Sequence, residues 1–154
     1  KKEVRDKPSY AKPKWEKPKY EKVLVELNAA DSITLIKVKG IGPFFARVII
    51  EYREKLGGFI HKEQVMEVYG MDSVKYLAIA DQLLVDSIIR AKLNVNDSEL
   101  KQLLRHPYIN FNQAKAIVNY RKQHGKFKNV SELQNIHLLK GETYRKIAPY
   151  LTVQ

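Results

Sequence analysis

The sequence predicts an all-α chain made of two tandem helical units behind an extended, basic N-terminal tail. Three observations predict it: a self-match at constant spacing, a glycine-bracketed turn running straight into an apolar-periodic segment, and a proline-rich opening. Residues 41–85 match 109–153 at an offset of 68. Ile41 falls on Ile109, Ala46 on Ala114, Ile49 on Ile117, Tyr52-Arg53 on Tyr120-Arg121 and Gly57 on Gly125; Phe59, Val68, Tyr76, Ile79 and Leu83 fall on Phe127, Ile136, Tyr144, Ile147 and Leu151. Such self-similarity marks a supersecondary unit that has been duplicated. Leu27-Asn28 and Asp31-Ser32 also match Leu93-Asn94 and Asp97-Ser98, provided the second copy carries two extra residues before its turn. The chain therefore divides into a tail (1–22), a first unit (23–91) and a second (92–154).

In the tail, Tyr10-Ala11-Lys12-Pro13-Lys14 is echoed by Trp15-Glu16-Lys17-Pro18-Lys19 and begun again at Tyr20-Glu21-Lys22. Proline at that frequency excludes helix and favours extended polyproline II. With nine Lys/Arg against four Asp/Glu, the tail contributes +5. It reads either as a semi-rigid spacer or as a strand whose Tyr10, Trp15 and Tyr20 stack on bases while its lysines meet phosphates.

Each unit then reads as four short helices. In Val38-Lys39-Gly40-Ile41-Gly42-Pro43 two glycines flank one aliphatic residue, which suits a tight turn with Ile41 pointing inward. Pro43 fits the first helical position, where its missing N–H has no intrahelical partner. Ala46, Ile49 and Ile50 recur at helical spacing, as do Tyr76, Ile79 and Leu83. Asp31 and Asp72 or Ser73 are cap candidates in the first unit, Asn96 with Glu99 and Asn129 with Glu132 in the second. Gly57 and Gly125 stand where a left-handed helix stop belongs, each followed two residues later by a Phe that can cover the end. No strand pattern competes. Units this small bury modest apolar area, so the two are expected to pack on one another through residues 84–93.

Composition narrows the function classes. A net charge of +11 favours an anionic partner such as nucleic acid or an acidic membrane face. There is no cysteine, hence no disulfide framework, thiolate nucleophile or cysteine-ligated metal. No apolar run approaches the roughly 18 residues of a membrane span. His61, His106, His124 and His137 show neither i, i+4 pairing nor carboxylate spacing typical of a metal site, and read as surface or capping residues. Nothing suggests a catalytic constellation, a cofactor or a small-molecule substrate. The Tyr and Phe positions fall on the repeat's buried period and read as core.

Leu27-Asn28, Val38-Lys39-Gly40-Ile41-Gly42-Pro43, Tyr52-Arg53, Gly57, Phe59 and the second turn Val68-Tyr69-Gly70-Met71-Asp72 resemble the ComEA-type helix-hairpin-helix family of DNA-uptake proteins. The resemblance covers residues 24–153 as a tandem pair. It implies two helix-hairpin-helix motifs per unit, binding duplex DNA through backbone amides on phosphates without reading sequence. With the Lys/Pro spacer and a chain that does not begin with Met, it also implies an exported protein tethered upstream.

Carried onto this chain, the DNA-binding set is Lys37, Lys39, Gly40, Ile41, Gly42, Phe44, Phe45 and Arg47 in the first unit, with Asn110, Lys115 and Lys122 in the second. Gly42, Phe44 and Phe45 are the main-chain donors at a helix N-terminus, Gly40 permits close approach, and Lys37, Lys39 and Arg47 add charge. Lys115, Arg121, Lys122, Lys126 and Lys128 add a field, the second unit carrying +7 against −1 for the first. A monovalent cation on the turn carbonyls near Gly40 is a further expectation from this class. Departures from the family pattern are Phe45 where a lysine is usual, Asp72 where a glycine belongs, and Tyr108-Ile109-Asn110 and Leu138-Leu139-Lys140 in place of glycine turns. Asn110 can adopt a left-handed conformation, whereas Tyr108 would crowd a backbone. The rival reading is a structural or protein-interaction module that kept the fold and lost the nucleic-acid role.

Overall fold

The computed structural model describes residues 22–89 and 91–154, so the Tyr10, Trp15 and Tyr20 pattern lies outside the described residues. The first unit runs β1 (Val25–Glu26), α1 (Ser32–Ile36), α2 (Pro43–Leu56), a 3-10 segment (Lys62–Glu67), α3 (Ser73–Ile79) and β2 (Leu83–Leu84). The second repeats it as β3 (Leu93–Asn94), α4 (Leu100–Leu103), α5 (Phe111–His124), 3-10 segments (Val130–Asn135 and His137–Leu139), α6 (Gly141–Ile147) and β4 (Leu151–Thr152). The chain is mostly helical, as expected, but the third helix of each unit is 3-10. Two short parallel ladders were not foreseen: Val25 lies opposite Leu83, and Leu93 opposite Leu151. Two-residue strands are too short for alternation to register in a sequence.

These ladders correct the alignment of the repeat. The strand pairs, Leu27 N–H to the Leu84 carbonyl (2.9 Å) and Val95 N–H to the Thr152 carbonyl (3.0 Å) all obey the offset of 68, so no two-residue insertion separates the copies. Leu27-Asn28 corresponds to Val95-Asn96. Asn96 is accordingly not a helix cap. Its amide brackets Phe127, accepting from the Phe127 N–H (2.8 Å) and donating to the Phe127 carbonyl (3.0 Å), as Asn28 does for Phe59 at 2.7 and 2.8 Å. The N-cap of α4 is Glu99, while Asp31, Asp72 and Asn129 cap as expected.

Each unit has its own core. Leu27, Leu35, Ile49, Leu56 and Phe59 are fully buried in the first, and Leu103, Ile117, Leu133, Leu139 and Ile147 in the second. Gly57 has φ +89 and ends α2, and Gly125 with φ +84 ends α5, each followed by its buried Phe. Arg53 reaches back from α2 to the carbonyls of Leu27 (2.8 Å) and Ala30 (2.7 Å), and Arg121 reaches from α5 to Val95 (2.7 Å). Both arginines tie the long helix to the unit's opening strand.

Within residues 84–93, Val85 and Ile89 pack on the core of their own unit. A polar-aromatic cluster joins the two units. Gln64 donates to the hydroxyls of Tyr108 (2.8 Å) and Tyr150 (2.7 Å), while Tyr108 and Tyr52 both donate to one carboxylate oxygen of Glu67, at 2.6 and 2.5 Å. Tyr150 is buried in the first unit's core although it belongs to the second. Burial, reinforced by the Glu67 carboxylate, pushes the Tyr52 and Tyr108 hydroxyls above their ordinary range, so they stay protonated donors.

Candidate nucleic-acid interface

Four hairpins share one closure. The N–H of Ile41, Met71, Ile109 and Leu139 donates to the carbonyl of Val38, Val68, His106 and Ile136, at 3.0, 3.0, 3.1 and 2.9 Å. Each bond folds the donor's aliphatic side chain into a core. The next residue, Gly42, Asp72, Asn110 or Lys140, is then the N-cap of a helix, where up to four backbone donors lack intrahelical acceptors. What this residue carries decides whether those donors are available.

At the first hairpin they are. Gly42 is extended (φ −92, ψ 178), Pro43 occupies the first helical position, and no side chain caps α2. Among the described residues, the N–H groups of Gly42, Phe44 and Phe45 donate to nothing. A Cβ placed on Gly42 would find no atom within 4 Å, so there is open space beside the cap position. A fourteen-residue helix adds its dipole at this end. Gly40 is demanded by the fold itself. Its φ is +112, and a Cβ there would come within 2.9 Å of the Ile79 side chain. Gln82 clamps the tip, accepting from the Lys39 N–H (3.1 Å) and donating to the Lys39 carbonyl (3.3 Å). With the Val38 carbonyl taken by Ile41, a cation at this turn would have to share both oxygens.

The other hairpins differ. Asp72 accepts from the Lys75 N–H (2.8 Å), and Lys75 Nζ holds its second oxygen at 2.7 Å. Hydrogen bonds from Lys75 keep this carboxyl below the usual range, so a fixed anion already stands where a phosphate would come. Asn110 is extended (φ −84, ψ 173) rather than left-handed, and it exchanges hydrogen bonds with Gln113. That capping box consumes two donors of α5. Tyr108, at the position of Gly40, turns away into the contact between units, so it does not crowd the third turn's outer face. At the fourth, Lys140 offers no cap and Gly141 takes φ +61 inside a seven-residue helix with Glu142 in its first turn.

Of the expected charged set, Lys37, Lys39, Arg47, Lys115 and Lys122 are all exposed. Arg47 lies 3.8 Å from Glu51 and 5.8 Å from the Phe44 ring centre. Arg121 does not join the field, because its guanidinium faces the Val95 carbonyl, and Lys126 lies 3.4 Å from Asp97. The structure brings Lys37, Lys39, Gly40, Ile41, Gly42, Phe44, Phe45 and Arg47 together at one turn, and sets Lys115 and Lys122 on the separate helix α5.

Two expectations about side chains fail. Tyr52, Phe59, Tyr76 and Phe127 do pack into the cores, but Phe44 is 46% exposed, Tyr69 80% and Phe111 55%. The periodicity that buries Ala46 and Ile49 turns Phe44 outward, and Tyr69 sits at a hairpin tip. His106 is buried rather than superficial, its ring against Tyr108 and Tyr150. Burial pushes its pKa down to about 4, so the imidazole is neutral. The signal was present in the repeat, since His106 stands where the first unit has the buried Val38.

The chain is similar to the proteins called endonuclease/exonuclease/phosphatase family domain-containing protein 1. The mouse protein is 25% identical over 138 residues, covering 71% of this chain and 24% of the relative. The Danio rerio protein is 28% identical over 130 residues, covering 73% and 24%, and the Xenopus laevis protein 24% identical over 151 residues, covering 84% and 27%. This chain thus spans about a quarter of the length of those relatives. The family model described as the helix-hairpin-helix motif matches residues 20–84 and again 90–152, a motif that suggests nucleic-acid binding, and the chain belongs to the helix-hairpin-helix family as two tandem copies.

Proposed function

We propose that this chain binds DNA through its phosphates with little sequence preference, and that the start of α2 is the principal contact. The carrying observation is the set of unclaimed N–H groups at Gly42, Phe44 and Phe45, at the one hairpin with an open cap on a long helix. Lys37, Lys39 and Arg47 add charge there, and Lys115 and Lys122 add a weaker field on α5. Main-chain donors meet phosphate oxygens, which every sequence presents alike. No catalytic step is assigned to these residues, and whatever activity the relatives' names denote is theirs. Those names speak of an endonuclease/exonuclease/phosphatase domain, so the ComEA-type expectation of DNA uptake is left without support.

A second reading, a protein-interaction module, is favoured by the closed caps at Asp72 and Asn110. A salt titration of duplex binding separates the two. A phosphate binder loses affinity steeply and linearly on a log–log scale as salt rises, and a module for protein contacts shows no useful duplex affinity at moderate salt. Gly42→Glu, whose side chain has room, should cost tenfold or more by placing a carboxylate among the donors. The same loss must persist after deletion of residues 1–21; a chain whose binding vanishes with the tail alone refutes the assignment to α2.

A further inference from the structure

We propose that the first unit takes DNA whose bases are unstacked beside the bound phosphate, and that Tyr69 and Phe44 are the stacking platform. The inference rests on the phosphate reading of α2 and names the form of DNA that site prefers. The two hairpins of the first unit correspond at an offset of 30, with Val38, Lys39, Gly40 and Ile41 matching Val68, Tyr69, Gly70 and Met71, and Phe44 matching Val74. Where the first hairpin carries Lys39 at its tip, the second carries Tyr69. That ring is 80% exposed, and its centroid lies 6.5 Å from that of Phe44, which meets Phe45 edge to face at 5.4 Å. The second tip abuts the start of α2, since a Cβ on Gly70 would lie 3.7 Å from both phenylalanine rings.

Three aromatic rings thus cluster at the start of α2, the helix whose first amides are free. Arg47 stands 5.8 Å from the Phe44 centroid and Lys75 6.0 Å from that of Phe45. Asp72, the nearby cap, is held by Lys75. Aromatic faces flanked by cations beside a phosphate-binding backbone are the combination that holds single-stranded nucleic acid, because every base has a π-face. An intact duplex offers such rings only sugar edges. The rings stand edge to face, Phe44 at 67° to Tyr69 and 74° to Phe45, so an unpaired base adjoining the phosphate can lie flat on one of them while a neighbour meets its edge.

The test measures binding of the full chain to two DNAs of equal length, one an intact duplex and one interrupted by a short single-stranded gap. The wild type should prefer the gapped DNA by about tenfold. Tyr69→Ala, at an exposed position outside the set of phosphate-binding amides, should remove most of that preference and leave intact-duplex affinity within about twofold. A 2-aminopurine in the gap should lose fluorescence on binding the wild type and lose less on binding Tyr69→Ala. Equal binding of both DNAs by the wild type, or a preference that survives Tyr69→Ala unchanged, overturns the proposal. Gly42→Glu distinguishes the two failures: it lowers affinity for both DNAs if the phosphate site is real, and leaves both unchanged if that reading is itself wrong.

Discussion

The starts of α2 and α5 occupy equivalent places in two copies of one fold, yet they end in opposite chemistry. Both helices run fourteen residues, both follow a hairpin closed by the same bond, and both are tied back by an arginine to the opening strand. The difference lies in two positions, Gly42 against Asn110 and Phe45 against Gln113. Gly42 leaves its helix's donors to solvent, and Asn110 spends two of them on a reciprocal cap with Gln113. Beside it, Gly40 has become Tyr108, which is used to fasten the units together. The fold survives this exchange because the scaffold lies elsewhere, in the cores, the asparagine brackets and the two arginines. Only the surface role is traded.

If the scaffolds are equivalent, Ile49→Ala and Ile117→Ala should be equally damaging, because both side chains are wholly buried. Each is expected to cost about 3–4 kcal/mol in denaturant unfolding. A much smaller loss at one site would show that copy to be loosely packed and break the equivalence.

The next largest effect separates the copies by pH. His106 replaces Val38, and its pKa falls from about 6.5 unfolded to about 4 in the fold. Folding therefore favours the neutral ring. Above about pH 6.5 the contribution of His106 does not change; as pH drops through 6.5 the unfolded chain takes up the proton first, and stability falls until about pH 4, by about 3 kcal/mol in all. Thermal melts between pH 7 and 4 should show this decline, and His106→Val should flatten it. A wild-type profile already flat would place the imidazole in water.

A smaller contrast lies in the asparagine brackets. Asn96 is buried and also donates to the Val153 carbonyl at 3.1 Å, whereas Asn28 is partly exposed. Asn96→Ala should cost about 2 kcal/mol by orphaning the Phe127 backbone, and Asn28→Ala about 1, since water can replace part of what is lost. The reverse order would mean that the first unit depends more on its bracket.

Much of this was legible in the residues. The duplication, the turn at Gly40 and Gly42, the caps at Asp31 and Asp72 and the stops at Gly57 and Gly125 each have a local cause, and local causes are written locally. What was misread depended on partners distant in the chain. Asn96 has the spacing of a cap, but Phe127 outbids the helix for its amide. Tyr108 looked like an obstruction because its partners, Gln64 and Glu67, lie more than forty positions away. The repeat's period reads Tyr69 and Phe44 as core, and only the placement of the second hairpin against α2 shows them at the surface.

The finest test exchanges the caps themselves. Gly42→Asn should add a side-chain acceptor at the head of α2; because glycine is already a tolerable cap, stability should rise by only a few tenths of a kcal/mol. Duplex affinity should nevertheless fall, by about tenfold or about 1.4 kcal/mol, since a donor meant for phosphate is now satisfied within the protein. Asn110→Gly should do the opposite at α5, losing a few tenths in stability and releasing the Gln113 N–H, while the N–H at position 110 still donates to the Gln113 side chain, with affinity rising modestly in the more basic unit. Opposed signs in binding alongside small changes in stability are the signature of a cap that competes with the ligand. If both exchanges left binding unchanged, the donors of α2 would be bystanders and the difference between the two helices would be one of stability alone.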